Sequence, residues 1–197
     1  MNQQDEYKIK IYLASRSPRR VELLKQIGVD CITMPADIDE SQHPNEPPIT
    51  YVLRMARQKA EVCLQQLGNA STPILAADTT VVHHQVLGKP VDNEDARRML
   101  LALSGSTHEV HTAVALAFNG VIEVALSTTR VEMMPLNLAQ IEAYVDSGEP
   151  FDKAGGYGIQ GLAGAWIKHI EGSYTGVMGL PIFETASLLR KHQLFTL

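Results

Sequence analysis

The stretch "SRSPRR" at residues 15–20 combines serines, a proline and two arginines at the predicted start of a helix. Ser17 fits the N-cap position and Pro18 fits the first helical position. Arg19 and Arg20 therefore add positive charge to a helix end that is already partly positive. Backbone N–H groups, serine hydroxyls and guanidinium groups together favour a phosphate site. The alternative is that both arginines are solvated and that one of them pairs with a surface carboxylate.

An acid within an apolar strand is the second feature that could do chemistry. Asp78 interrupts "ILAADTTVV", where a carboxylate is costly unless it is paired, hydrogen-bonded or bound to a metal. A functional carboxylate and a strand-end aspartate bonded to backbone amides both remain open. Asp37, Asp39 and Glu40 lie in an acidic loop. Such a loop is usually just solvated, but one of its carboxylates could join Asp78 around a hard cation such as Mg²⁺.

Three isolated lysines could contact the same anion, although an isolated lysine more often lies at the surface. They are Lys59 in a predicted long helix, Lys89 in "LGKP" and Lys153 in "FDKAGG". Arginines, serines, lysines and carboxylates form a consistent set for hydrolysis of a nucleoside triphosphate, because phosphoryl chemistry depends on charge neutralisation. A carboxylate would position or deprotonate the attacking water.

Several other motifs are disfavoured by their context. The G-x-G-x-x-G spacing at residues 156–161 lacks the preceding strand and following helix of a dinucleotide site. The histidine pairs at residues 83–84 and at 108 and 111 are poorly spaced for one metal on a strand. The phosphate-loop pattern GxxxxGK[ST] and the hydrolase pattern G-x-S-x-G are absent.

Composition limits the classes of partner and compartment. The 197 residues carry a net charge of −5, which argues against nonspecific binding of long nucleic acid. We expect no signal peptide and no membrane span, because no apolar run approaches the roughly 18 residues that a span needs. Cys31 and Cys63 do not form a CxxC pair, and we expect reduced thiols in a cytoplasmic protein.

The elements that must position these residues mix strand–helix units with hairpins. The patterns predict strands at 7–14, 30–36 and 164–172, and a long apolar strand that begins at 73 and turns near residues 83–85 within the stretch 73–90. They also predict a hairpin around Asn119–Gly120 and helices from 18 up to Gly28, at 49–68 and 93–105, after Asn137 and after Pro181. The sequence therefore predicts an α/β fold with a mixed sheet.

Five segments taken together resemble the Maf family of nucleotide pyrophosphatases. They are "LASRSPRR", "LAADTTVV", "LGKP", "LSGSTHEVHTAVAL" and "FDKAGGYGIQG", which occur in order from Tyr12 to about Leu189. The resemblance implies one domain over residues 1–197 with an elongated mixed sheet, flanking helices and two lobes around a cleft, as in inosine triphosphatases. It also implies cytoplasmic cleavage of nucleoside triphosphates to monophosphate and pyrophosphate with Mg²⁺ or Mn²⁺.

The resemblance also assigns roles to individual positions. It implies that Asp78 is the general base, that Glu40 and Asp78 hold the metal, and that the substrate is bound by Ser15, Ser17, Arg19, Arg20, Lys59, Thr79, Lys89 and Gln160.

The branch of the family that acts on dTTP and UTP is the most similar, on the basis of Arg20, Thr79 and Gln160. The amide of Gln160 offers both a donor and an acceptor, which match the imide and carbonyl edge of uracil or thymine. A Maf enzyme for another base, such as 7-methyl-GTP, and a noncatalytic nucleotide-binding regulator of cell division are kept as alternatives. A homodimer is kept as a hypothesis, since the sequence does not determine the oligomeric state.

Overall fold

The computed structural model describes residues 11–69 and 71–196, and it has the predicted mixed α/β architecture. Residues 7–10 of the first predicted strand lie outside the described residues. The strands are β1 (Ile11–Leu13), β2 (Cys31–Thr33), β3 (Ile74–His83), β4 (Gln85–Leu87), β5 (Thr107–Phe118), β6 (Val121–Met133) and β7 (Ile167–Glu171). The α-helices are α1 (Pro18–Gln26), α2 (Pro48–Leu67), α3 (Asn93–Leu103), α4 (Leu138–Asp146), α5 (Tyr174–Met178) and α6 (Ile182–Lys191).

The strands within the described residues form one seven-stranded mixed sheet in the order β2-β1-β3-β5-β6-β7, with β4 beside β3. Strand β1 is parallel to both β2 and β3. Strand β4 is antiparallel to β3, and β7 is antiparallel to β6. Parallel and antiparallel pairs therefore occur in one sheet, as the order of the sequence patterns predicted.

Local sequence signals set several element boundaries where they were predicted. Pro18 begins α1 after an extended Ser17, and Gly28 follows the helix with a φ of 76° that favours glycine. Asn119 and Gly120, with φ values of 51° and 78°, form the turn between β5 and β6. Turn and cap chemistry alone was sufficient for these boundaries.

The chain divides into two compact units. Unit 1 contains the described residues of Met1–Asp78 together with Ala113–Leu126 and Gly179–Leu197, and unit 2 contains Thr79–Thr112 and Ser127–Met178. No helix in the described ranges combines the length and the apolar character needed to cross a membrane.

Unit 1 has a core of small side chains between α2 and the sheet. Ala56 and Ala60 of α2 belong to one buried cluster with Ala76, Ala113 and Ala115 of the strands. Alanine occupies little space, so a helix can lie close to the sheet at such positions. This close packing brings side chains of α2 within reach of polar groups on β3.

Unit 2 has a separate core of larger side chains. Its members include Met99, Leu100 and Leu103 of α3, and Ile141 and Tyr144 of α4. The side chain of Asp92 caps α3, and Asn137 with Gln140 forms a capping box at the start of α4. Both helices thus begin at a side-chain cap, and the cap of α4 is the Asn137 expected from the sequence.

Candidate active site

Ser15 organises the turn between β1 and α1 in unit 1. Its hydroxyl oxygen accepts the backbone N–H of Ser17 at 3.1 Å and Nη1 of Arg20 at 3.0 Å. A serine hydroxyl has two acceptor lone pairs and one proton. Because both lone pairs are used, the group that Ser15 offers to a ligand is its proton. A phosphate oxygen is a suitable acceptor for that proton.

Arg20 is held by a residue that is distant along the chain. Its Nε donates to the backbone oxygen of Gly179 at 2.7 Å. Burial lowers the pKa of the Arg20 guanidinium from its ordinary value. The negative charges of Asp78 and Glu40 act in the opposite direction, and the positive charge of Arg19 lowers this pKa further. Arg20 is therefore attracted by both carboxylates and repelled by Arg19. The first turn of α1 contains no acidic residue that could reduce this repulsion. A bound anion would offset this repulsion.

A buried ammonium group between two carboxylates lies in the same unit. Lys59 Nζ is 2.7 Å from Asp78 Oδ1 and 2.6 Å from Glu40 Oε1. Lys59 and Asp78 are each 8% exposed, whereas the Glu40 side chain is 48% exposed. Buried charges persist only when they are paired, and this group satisfies that requirement with one carboxylate open to solvent.

The positions of Lys59 and Asp78 in their elements explain why they meet. Lys59 lies four residues after Met55 and four before Cys63, both on the buried face of α2. Asp78 shares a face of β3 with Ala76, two residues earlier. The expectation that an isolated lysine lies at the surface is wrong for Lys59, because its helical position faces the core.

Of Asp37, Asp39 and Glu40 in the predicted loop, Glu40 is the one that joins Lys59 and Asp78. Asp37 forms an exposed ion pair with Arg16 at 2.8 Å, and Asp39 Oδ1 accepts the backbone N–H of Ser41. The hydroxyl of Tyr51 on α2 donates to the backbone oxygen of Glu40 at 2.9 Å. Burial, followed by the charges of Asp78 and Glu40, raises the pKa of Tyr51 to about 12, so this donor keeps its proton.

The carboxylates of Glu40 and Asp78 fit a divalent cation that is bound together with a phosphate ligand. Glu40 Oε1 and Asp78 Oδ1 converge on one ammonium nitrogen, so a small hard cation could contact both oxygens. Within residues 11–69 and 71–196, no group of three or more histidine, cysteine or acidic side chains could hold a metal. Mg²⁺ often uses only one or two carboxylates and takes its other ligands from phosphates and water. The donor set is therefore adequate for a metal–phosphate complex.

Thr79 belongs to unit 2 and to a hydroxyl network. Thr112 Oγ1 is 2.7 Å from the backbone oxygen of Gly176 and 3.0 Å from Thr79 Oγ1. The carbonyl of Gly176 can only accept, so the single hydroxyl proton of Thr112 is donated to it. The hydroxyl of Thr79 then donates to the Thr112 oxygen. Asp78 and Thr79 are consecutive on β3, and their side chains point to opposite faces of the strand.

Lys89 and Gln160 are exposed residues in separate segments of unit 2. Lys89 follows β4, and its neighbour Gly88 accepts a hydrogen bond from the backbone N–H of Gly155 at 2.9 Å. Gln160 lies in the glycine-rich segment that follows Gly155. In unit 1 the structure thus joins Ser15 to Arg20, and Lys59 to both Glu40 and Asp78. It places Thr79, Lys89 and Gln160 at three positions in unit 2.

Two partners in unit 1 were not predicted. Gly179 contributes a backbone carbonyl, and such a contribution has no side-chain signature in the sequence. Tyr51 could have been considered, because a tyrosine in the first turns of a helix beside an acidic loop often needs a hydrogen-bond partner.

Comparison with known proteins matches the chain to the family described as Maf-like protein over residues 10–192. The dTTP/UTP pyrophosphatase of Methylobacillus flagellatus is 59% identical over 182 residues, which are 92% of each chain. Proteins of the same name from Bordetella parapertussis and Nitrosomonas europaea are 57% and 50% identical, over 92% of this chain and 91% and 93% of theirs.

Among solved structures, a HAM1 protein from Coxiella burnetii aligns with a TM-score of 0.45 at 20% identity, over 64% of this chain and 73% of its own. The match of the family over nearly the whole chain, together with relatives above 50% identity, shows that this chain belongs to the Maf family.

Proposed function

We propose that this Maf protein hydrolyses dTTP and UTP to the nucleoside monophosphate and pyrophosphate. The observation that carries the proposal is the buried Lys59 between Asp78 and Glu40, with Arg20 in electrostatic contact with both carboxylates. Cations for a phosphate chain and carboxylates for water or a metal are the groups that phosphoryl transfer requires. The shared name of relatives at 50–59% identity supports dTTP and UTP as the substrates.

The start of α1 would bind the phosphate chain. The backbone N–H groups of the first turn and the Ser15 hydroxyl proton donate to phosphate oxygens, and Arg19 and Arg20 neutralise their charge. Ser17 makes no side-chain cap hydrogen bond, so its hydroxyl can contribute to the same anion. Arg20 is the most constrained of these groups, because Gly179 and Ser15 hold its guanidinium.

Asp78 would act as the general base. Its carboxylate accepts the proton of a water molecule whose oxygen attacks the α-phosphorus. The bond between the α-phosphorus and the bridging oxygen breaks, and pyrophosphate leaves with the bond electrons. Lys59 orients the carboxylate through its bond to Oδ1 and adds positive charge beside the phosphates.

Glu40 and Asp78 would hold a divalent cation, Mg²⁺ or Mn²⁺. When bound, such a cation supplies charge neutralisation to the phosphate chain. Glu40 is the more exposed of the two carboxylates and lies in a loop anchored by Tyr51. Its side chain can therefore leave Lys59 for a cation while its backbone stays in place.

Gln160 would select the base, with Thr79 and Lys89 as further substrate contacts. A carboxamide pairs with the N3–H donor and the neighbouring carbonyl of uracil or thymine. Gln160 is exposed and thus accessible to a ligand. Lys89, exposed between Gly88 and Pro90, is a point charge suited to a phosphate.

The direct test is product identification with a panel of triphosphates. The purified chain is incubated with Mg²⁺ or Mn²⁺ and with dTTP, UTP, CTP, GTP or 7-methyl-GTP, and the products are separated. We expect dTMP or UMP and pyrophosphate in equal amounts. A diphosphate with orthophosphate would contradict attack at the α-phosphorus, and preference for 7-methyl-GTP would contradict the assigned substrates. Asp39→Asn is a matched control, because Asp39 lies in the acidic loop but pairs with Ser41.

We further propose that the enzyme works in the cytoplasm, where its triphosphate substrates are made and used. Cys31 and Cys63 form no disulfide, which is consistent with a reducing compartment. A homodimer remains a hypothesis, for which the measurement is light scattering at working concentration.

A further inference from the structure

The segment Gly158 to Leu162, here called the Gln160 loop, is held at both ends by one pair of side chains. The backbone N–H of Gly158 donates to the Tyr144 hydroxyl at 3.0 Å. The backbone N–H of Leu162 donates to Glu149 Oε2 at 3.1 Å. The Tyr144 hydroxyl donates to Glu149 Oε1 at 2.9 Å, which joins the two anchors. All of these residues lie in unit 2.

The directions of these hydrogen bonds are determined by the groups involved. Both backbone N–H groups are donors, so the tyrosine oxygen and one carboxylate oxygen must accept. The tyrosine proton then goes to the other carboxylate oxygen. Burial raises the pKa of Tyr144 well above its ordinary value, so the hydroxyl keeps the proton that this arrangement needs. The three bonds are therefore mutually consistent with a neutral tyrosine whose hydroxyl accepts from Gly158 and donates to Glu149.

The tyrosine is a rigid anchor. Tyr144 is 2% exposed and belongs to the core of unit 2. Its ring meets that of Trp166 edge-on, with 4.9 Å between the ring centroids. Packing on this scale restricts the ring to one rotamer, so the hydroxyl has a defined position.

Two glycines allow the side chains to lie against the loop backbone. A Cβ atom at Gly161 would be 2.0 Å from Glu149 Oε1, and one at Gly158 would be 2.7 Å from Lys153 Cε. Glu149 cannot move aside without losing its hydrogen bonds to Tyr144 and Leu162. Lys153 is held as well, since its Nζ donates to the backbone oxygen of Glu149 at 2.6 Å.

Gln160 lies in the middle of this loop and is exposed, as are Gly161 and Leu162 after it. The preceding residues Tyr157, Gly158 and Ile159 are buried, and the N–H of Gly161 bonds to the oxygen of Gly158 at 3.1 Å. This hydrogen bond closes a tight turn with Gln160 at its centre. The backbone of Gln160 is thus fixed from both sides while its amide faces solvent.

We propose that Tyr144 and Glu149 are positioning residues that set base selectivity by holding the Gln160 loop. The inference rests on the proposed function, in which the Gln160 amide recognises the uracil or thymine edge. A side chain that reads a base through two hydrogen bonds needs its Cα held to within about 0.5 Å. Loss of either anchor releases one end of the loop and weakens recognition of the matched base.

The test is a double-mutant cycle with Tyr144→Phe and Gln160→Ala. The measured quantity is the ratio of kcat/KM for UTP to kcat/KM for CTP, with the thermal unfolding midpoint recorded for each protein. We expect Tyr144→Phe to lower the ratio about 10-fold, mainly by lowering kcat/KM for UTP, because one hydrogen bond that anchors the Gln160 loop is lost. In the Gln160→Ala background the same change should alter the ratio less than about 2-fold, because coupled residues are not additive.

Two further variants keep the test decisive. Glu149→Gln preserves the side-chain volume but presents an NH₂ group where a second acceptor is needed, and it should lower the ratio about 3-fold or more. Tyr174→Phe removes the hydroxyl of an exposed tyrosine and should leave the ratio unchanged. A purely structural role predicts equal losses for UTP and CTP in both backgrounds, and that result would overturn the inference.

Failure of the proposed function is distinguishable from failure of this inference. Wild-type protein that cleaves UTP to UMP and pyrophosphate, but whose selectivity survives Tyr144→Phe, overturns the positioning role alone. If wild-type protein binds UTP without cleaving it, the same cycle is measured as a ratio of Kd values for UTP and CTP. Absence of both binding and turnover would overturn both proposals, since Gln160 would have no base to recognise.

Discussion

The cluster around Lys59 in unit 1 and the Gln160 loop in unit 2 are built in different ways. The cluster holds opposite charges side by side, with Lys59 bridging Asp78 and Glu40. The loop holds backbone N–H groups on a tyrosine hydroxyl and one carboxylate. Charge neutralisation serves phosphate chemistry, while a fixed backbone serves hydrogen-bond recognition. The contrast implies that turnover and selectivity respond to different substitutions.

The largest effect expected is on turnover, from the carboxylate assigned as base. Asp78→Asn removes the proton acceptor while keeping the shape of the side chain, and kcat for dTTP and UTP should fall about 10² to 10⁴-fold. Circular dichroism and the unfolding midpoint check that the fold is retained. The ratio of kcat/KM between UTP and CTP should stay close to that of the wild type. Near-normal turnover would remove Asp78 from the mechanism.

The second prediction concerns stability. Lys59→Met leaves two carboxylates without their shared cation, and the free energy of unfolding should fall by about 3 kcal/mol, measured by urea denaturation. Lys168→Met is the matched control, because Lys168 also pairs at 2.6 Å but with 68% of its side chain exposed. Loss of that pair should cost less than about 1 kcal/mol. Equal losses would show that burial of the Lys59 cluster has no energetic consequence.

The third prediction is a pH dependence that arises in unit 2. His108 is 2% exposed and its Nε2 bonds to the Tyr157 hydroxyl at 2.7 Å. Burial, with a smaller contribution from His83, lowers the pKa of His108 to about 4. The folded protein therefore favours the neutral ring, and the resulting stability is complete above about pH 6.5 and is lost as the pH falls towards 4.

As the pH falls from about 6.5 to 4, the free energy of unfolding should decline by about 3 kcal/mol more in the wild type than in His108→Gln. Urea titrations at steps between pH 7 and pH 4 measure the difference. His169→Gln, at an exposed strand position, is the control. Parallel curves for wild type and His108→Gln would show that the buried ring has no such role.

The fourth prediction concerns Gln160 and recognition of the base. Gln160→Glu replaces an amide that donates and accepts by a group that only accepts, so kcat/KM for UTP should fall about 10- to 100-fold. Relative preference should shift towards 7-methyl-GTP, whose base is cationic and rich in donors. Gln66→Glu adds the same charge at an exposed position of α2 and should change neither value. A fall in kcat alone, equal for every base, would contradict the division between the two regions.

Local chemistry was sufficient to predict much of the fold. The cap at Ser17 and Pro18, the turn at Asn119 and Gly120 and the cap at Asn137 lie where their residue types indicated. The five-residue helix α5 was not predicted, because its sequence "YTGVM" has too little length for a period and contains a glycine.

The candidate site was predictable in kind but less so in geometry. A buried partner for Asp78 was expected from the cost of burying an acid, and Lys59 could have been chosen from its place among Met55 and Cys63 on one helical face. The anchors of the Gln160 loop were not predictable, because Tyr144 and Glu149 bind backbone N–H groups that any residue carries.

The bond between Arg20 and the backbone oxygen of Gly179 also constrains when the site can form during synthesis. The arginine leaves the ribosome before its carbonyl partner, which lies 159 residues later in the chain. A nascent chain that carries "SRSPRR" but ends before Gly179 has the phosphate-binding residues without the contact that orients Arg20. Competence for phosphate binding would therefore arise only after Gly179 has been synthesised, and truncations that remove Gly179 should behave as assembly mutants rather than as shorter enzymes.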